Sequence, residues 1–182
     1  MSWKSKLLIA LLLCGPFIAA GYFLLASDDA DLAKIHGAIE REFTNVSHIQ
    51  TDDLSVLNPK DIILFDVREP SEFAVSHLKS AIRINPEIST QDFIEKFSVL
   101  TNGKTAIFYC SVGQRSSVLA DRVQSALVSS GAKAAYNLEG GIFKWHNERR
   151  LLYTSGATPT KYVHPYSPIW GGLVKDQKRT RY

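Results

Sequence analysis

Cysteine is scarce in this chain. Its 182 residues include two, Cys14 and Cys110, and Cys14 lies inside an apolar N-terminal run. Nothing beyond that run can pair with Cys110, so an intramolecular disulfide there is excluded. An excess of one charge is lacking as well. With Lys4 and Lys6 set aside, 19 basic residues stand against 18 acidic ones, which gives no general argument for nucleic-acid binding. The five histidines (His36, His48, His77, His146 and His164) show no paired metal-ligand spacing, so no metal or cofactor is expected and they read as surface or structural residues.

What is present begins with Leu7–Ala26, 20 residues without a charge, long enough to cross a hydrocarbon core. Two lysines precede it and Asp28, Asp29 and Asp31 follow. That asymmetry predicts a cytoplasmic N-terminus and an extracytoplasmic domain. Residues 1–26 are therefore expected to be an uncleaved transmembrane helix. The competing reading is a signal peptide cut near Ala19-Ala20-Gly21, which would release a secreted or periplasmic protein.

Residues 27–47 read as an amphipathic helical linker, because Leu32, Ile35, Ile39 and Phe43 recur at helical spacing. Packing on the following domain and lying along the membrane are both open. Residues 151–182 form a C-terminal extension. Its aromatic and proline-rich part is expected to wrap the domain, and its basic end (Lys175, Lys178, Arg179 and Arg181) to be solvated and frayed.

Residues 48–150 alternate strand and helix signals. Strands are expected at Ile62–Phe65, Ala81–Ile84, Ala106–Tyr109 and Ala134–Leu138. Helices are expected at Glu69–Val75, from Thr90 as cap to Phe97, at Ser117–Leu127 with Val118, Val123 and Leu127 inward, and at Gly141–Asn147. Short connections between such segments predict an α/β domain, a central parallel sheet of about five strands with helices on both faces. Ligands of such sheets sit at the carboxyl ends of strands, where Asp66 and Cys110 fall.

The segment Thr105–Ser117, T-A-I-F-Y-C-S-V-G-Q-R-S-S, carries the chemistry. A β-favouring run delivers Cys110 to its end; a loop with Gly113 then leads through Arg115 into a helix. The unpaired N–H groups of a helix start and a nearby arginine both favour thiolate over thiol, which makes Cys110 a candidate nucleophile. The competing reading is a buried cysteine acting as a small hydrophobe. Catalysis requires a sulfur that solvent can reach; a sealed one would defeat it.

The loop C-S-V-G-Q-R-S resembles the C-x-x-G-x-R-S active loop of the rhodanese-like (sulfurtransferase) family. Three more blocks fall in that family's order: L-F-D-V-R-E-P-S-E at Leu64–Glu72, S-H-L-K-S-A-I-R-I-N at Ser76–Asn85, and N-L-E-G-G-I-F-K-W at Asn137–Trp145. The resemblance implies a rhodanese-like fold and transfer of sulfane sulfur, from a donor such as thiosulfate to a thiol or cyanide, through a persulfide on Cys110. Ser111, Val112, Gly113, Gln114, Arg115 and Ser116 would bind the substrate, their N–H groups facing the sulfur and Arg115 orienting substrate or loop. Asp66 and Arg68 would support the site structurally.

Three departures stand out. Ser76 and Ser80 replace glycines common in the family, and Ser111 stands where many relatives carry a basic residue, which puts the donor in doubt. Two other functions compete. One is a sulfur carrier or interaction module without turnover. The other is a cysteine phosphatase, whose loop would hold five residues between Cys and Arg where this chain has four. The protein partner is not legible.

Overall fold

The computed structural model describes residues 28–182. The expected anchor at 7–26 and Cys14 lie outside the described residues. Among the described residues no helix is long and apolar enough to cross a membrane.

In chain order the elements are α1 (Asp28–Glu42), β1 (His48–Ile49), α2 (Thr51–Val56), β2 (Ile62–Asp66), α3 (Pro70–Val75), β3 (Ile82–Arg83), α4 (Thr90–Thr101), β4 (Thr105–Tyr109), α5 (Gln114–Ser129), β5 (Ala134–Leu138) and α6 (Gly141–Asn147). A hairpin, β6 (Leu152–Tyr153) and β7 (Pro159–Thr160), a short helix α7 (Pro168–Gly171) and one 3-10 turn complete the chain. The five-stranded sheet runs β1-β5-β4-β2-β3 and every pairing in it is parallel.

Strand β4 lies at the centre, and its side chains alternate between two cores, as the two-residue period of a strand requires. Ala106, Phe108 and Cys110 join Phe65, Phe93, Leu119, Val123 and Leu127 on one face. Ile107 and Tyr109 join Leu54, Leu138, Ile142 and Phe143 on the other. With both faces covered, the strand reads as a nearly unbroken apolar run.

Several boundaries differ from expectation. Helix α4 is capped by Ser89, whose hydroxyl accepts the Asp92 N–H at 3.1 Å, and runs to Thr101 rather than Phe97. Helix α5 starts at Gln114 rather than Ser117. Its inward stripe is Ser116, Leu119, Ala120, Val123 and Leu127, so Val118 turns outward and is 38% exposed. The two-residue β1 was not expected; too few residues carry its pattern.

Helix α1 packs on the domain. Leu32 and Ile39 are buried, and Leu32 belongs to the core on the Tyr109 face. The extension wraps the domain with Leu152, Val163, Leu173 and Val174 buried. Its basic end is ordered, against the expectation of fraying. Val163 donates to Arg179 and accepts from Arg181, at 2.9 and 3.0 Å, and the Arg181 guanidinium lies 4.0 Å from the Tyr162 ring centre.

The histidines are mostly interior. His36, His77, His146 and His164 are buried, which corrects the surface reading and keeps the structural one. Ser80 adopts φ 61°, a left-handed backbone that a glycine would supply at no steric cost; Ser76 is extended and needs no glycine.

Candidate active site

Strand β4 ends at Tyr109 and the chain turns at once into the loop 110–113, whose last residue is the left-handed Gly113 (φ 106°) at the start of α5. That backbone aims the Gly113 N–H at the sulfur of Cys110, 3.2 Å away. A side chain at 113 would be strained by the φ, and its Cβ would lie 3.1 Å from Nδ2 of Asn137.

Two of the loop's carbonyls are bonded to α6. Those of Cys110 and Ser111 accept the N–H groups of Ile142 and Phe143, at 2.9 and 3.0 Å, from the first turn of α6. The close approach rests on Gly141, whose φ is 55° and whose hypothetical Cβ would stand 2.4 Å from the Cys110 oxygen. With those two carbonyls bonded to α6, the N–H of Gly113 is the loop donor that meets the sulfur, as in a backbone anion site.

Arg115 leaves the first turn of α5 and meets Glu72 of α3. Its Nη1 and Nη2 donate to the two carboxylate oxygens, each at 2.9 Å, and Nη2 also reaches the Ser111 hydroxyl at 3.1 Å. Ser111 donates to Glu72 at 2.9 Å. Burial pulls the Arg115 guanidinium down, but the bonds and charge of Glu72, with Cys110 and Tyr166 nearby, hold it above its ordinary value. Burial pushes Glu72 up, yet Arg115, the Glu69 N–H and Arg68 outweigh it, and the carboxyl lies below its usual range.

Ser116 donates to Oδ1 of Asn137 at 2.6 Å, tying the start of α5 to β5. Gln114 reaches Glu42 of α1 at 3.0 Å, and Ile39 would touch a Cβ at Gly113, so α1 supports the loop from behind. Val112 is buried in the core on the Tyr109 face.

Asp66 and Arg68 form a fully buried pair. Nε of Arg68 donates to Oδ1 at 2.9 Å and Nη2 to Oδ2 at 2.6 Å. Nη2 continues to the Ser76 carbonyl at 2.6 Å, at the end of α3. The pair thus braces the helix that carries Glu72.

Cys110 itself is 1% exposed and belongs to the Phe-lined core. This corrects the expectation of a solvent-reachable thiol. Val46, from the segment after α1, belongs to the same core. Two surface cavities, about 260 and 360 Å³, have linings that do not include Cys110. Among the described residues no cluster of three or more His, Cys, Asp or Glu could hold a metal ion.

Sequence reasoning missed four residues here: Glu72, Asn137, His164 and Tyr166. Glu72 was hidden by a second role, since it also forms a capping box with Glu69 at the start of α3. Asn137 stood in the quoted N-L-E-G-G block with no role assigned to it, and His164 and Tyr166 come from the extension, far along the chain from Arg115.

The loop geometry, the parallel sheet and the sequence blocks all define one class of domain. The model of the rhodanese-like domain family matches residues 52–148, and the chain belongs to that family. An uncharacterised Synechocystis protein is 31% identical over 137 residues, covering 72% of this chain and 69% of its own length. A tRNA uridine(34) hydroxylase of Buchnera aphidicola is 29% identical, with 64% of this chain and 37% of the relative covered. A probable adenylyltransferase/sulfurtransferase of Mycobacterium tuberculosis is 30% identical over 47% of this chain and 20% of its own length. Among solved structures, a Rhodopseudomonas palustris protein of unknown function, described as a possible tyrosine phosphatase, superposes with TM-score 0.50 at 20% identity. It covers 63% of this chain and 91% of its own, and shows the shared fold. The chain thus spans a minor part of both named enzymes.

Proposed function

We propose that this protein is a sulfurtransferase that carries sulfane sulfur on Cys110. The observation behind the proposal is the bonding of the loop: Ile142 and Phe143 hold the carbonyls of Cys110 and Ser111, while the Gly113 N–H faces the sulfur. Such N–H groups suit an anionic persulfide and the departing group of a donor.

In the proposed reaction the Cys110 thiolate attacks the outer sulfur of a sulfane donor. The donor's sulfur–sulfur bond breaks as the new one forms, and a persulfide remains on Cys110. A thiol or cyanide then takes the outer sulfur and restores the thiolate. Backbone N–H groups from Ser111 to Ser116 stabilise the persulfide, Arg115 fixes the loop, and Asp66 with Arg68 braces α3. A sealed sulfur would defeat catalysis, and Cys110 is sealed in the resting fold, so the proposed transfer further requires that its cover opens.

That closure favours a second reading, a carrier that holds sulfur without turnover. Both readings include a membrane tether at 7–26 with the domain on the extracytoplasmic side, which rests on the charge asymmetry of the sequence.

The test treats the full chain with thiosulfate and, separately, with an organic hydropersulfide, then with cyanide. A mass gain of one sulfur and thiocyanate release, both lost in Cys110→Ser, are expected of the enzyme. A gain without turnover supports the carrier. No gain from any donor, or hydrolysis of an aryl phosphate instead, overturns the proposal. Extraction by alkali and the N-terminal residue of the mature protein test the tether.

A further inference from the structure

The charges beside Cys110 are already matched. Glu72 occupies both arms of Arg115, Asp66 neutralises Arg68 through Nε and Nη2 and leaves its buried Nη1 without a partner among the described residues, and the position after the cysteine is the uncharged Ser111. Over this neutralised site the C-terminal extension lays one ring: the centre of Tyr166 lies 4.7 Å from Cζ of Arg115.

The backbone that aims this ring is strained. Tyr166 has φ 64°, and Ser167 donates to the Pro165 carbonyl at 2.8 Å, closing a three-residue turn about a left-handed centre. For a residue with a side chain such a turn costs about 1–3 kcal/mol and persists where its surroundings hold it. Here they do. The Tyr166 N–H donates to Nδ1 of the buried His164 at 3.0 Å, the Ser167 hydroxyl accepts the Trp170 N–H at 3.4 Å, and the His164 ring meets Tyr182 edge-on at 5.3 Å.

We propose that Tyr166 is a specificity-determining residue of the sulfur-transfer site, and that with the Arg115–Glu72 pair it turns the site from thiosulfate toward an organic hydropersulfide. This inference rests on the sulfurtransferase reading above. Thiosulfate is a dianion, and its sulfonate needs a cation that is not already held; here it would have to displace a buried carboxylate or the tyrosine ring. A hydropersulfide, R–S–SH, enters with at most one charge. Its organic group meets apolar surface on the exposed Tyr166 ring.

The step balances without a further reagent. The Cys110 thiolate attacks the terminal sulfur of R–S–SH, the Sγ–S bond forms and the R–S–S bond breaks with its electron pair on the leaving sulfur. The terminal sulfur's proton passes to that leaving group, giving R–SH and the persulfide anion on Cys110. No net oxidation occurs.

The test measures second-order rates of sulfur loading on Cys110 in the full chain by intact mass. The donors are thiosulfate and the hydropersulfide of N-acetylcysteine methyl ester, each rate normalised to free cysteine with the same donor. The wild type should favour the hydropersulfide by about 100-fold, and Tyr166→Phe should keep that ratio. Tyr166→Ala should lower it about tenfold by faster loading from thiosulfate, the scale of one cation–π contact. A wild type that loads from thiosulfate as readily overturns the inference and leaves sulfur transfer standing. So does Tyr166→Ala if it shifts both rates together, since a purely structural role leaves the ratio unmoved. Loading from neither donor overturns the sulfurtransferase reading and this inference with it.

Discussion

Ile142 donates its N–H to the carbonyl of Cys110 across 2.9 Å, a bond that ties the first turn of α6 to the loop bearing the thiol. Gly141 permits it, since a methyl there would lie 2.4 Å from the Cys110 oxygen and 2.7 Å from that of Ser111. Gly141→Ala should therefore destabilise the domain by about 2–4 kcal/mol and slow sulfur loading, because relief of the clash must rotate the loop. Chemical denaturation and intact-mass kinetics check both effects. A variant with the wild-type midpoint and loading rate would show that α6 does not shape the loop.

Glu72 is predicted to give the domain an acid-sensitive component of stability. Its carboxyl titrates below its ordinary value of 4.5, so on acidification the unfolded chain takes up the proton first. The contribution is whole above that ordinary value and is lost as the pH falls through the depressed folded value. Glu72→Gln should cost about 1–3 kcal/mol at neutral pH, through the weakened bonds to Arg115 and Ser111. It should also flatten the loss of stability below the ordinary carboxylate range. Urea midpoints at neutral pH and near pH 4 measure both.

Helix α1 is predicted to be part of the folded unit. Ile39 is buried and lies behind Gly113. Ile39→Ala should cost about 2–4 kcal/mol, the range for a deleted buried aliphatic chain. It should also raise the reactivity of Cys110 toward an alkylating reagent by loosening the loop. A cost near zero would show α1 to be a detachable linker.

Asp66→Asn tests the internal brace. It leaves Arg68 charged and buried with one partner weakened, which should cost about 3–5 kcal/mol. Asp66 has no bond to the thiol loop, so the variant's loading rate per folded molecule should stay within a few-fold of wild type. Loss of loading in a well-folded variant would move Asp66 from support to substrate contact.

The sheet was legible because its strands are short apolar runs cut by polar turns, and β2, β4 and β5 fall where that pattern puts them. The helix starts were less legible. Helix α5 opens at Gln114 because Gly113 turns the chain there, and a left-handed glycine before a helix leaves no mark in hydrophobic periodicity. Cys110 and Arg115 were singled out by local spacing alone. Glu72 lies 43 residues from Arg115 in sequence, and Tyr166 comes to the same guanidinium from the far end of the chain. Such meetings are products of the fold, and a one-dimensional pattern does not contain them. The burial of Cys110 escaped for the same reason, since the core it joins is assembled from the segment after α1, α4 and α5.

That burial has a consequence for the lifetime of any sulfur held there. Persulfides exposed in solution are stripped by passing thiols and spoiled by oxidants. A sulfur lodged on Cys110, buried at the end of β4, would be out of reach of casual encounter. On the proposed function the domain would keep its cargo until its cover opens, so opening would gate access while the fit of the donor still sets how fast each transfer follows.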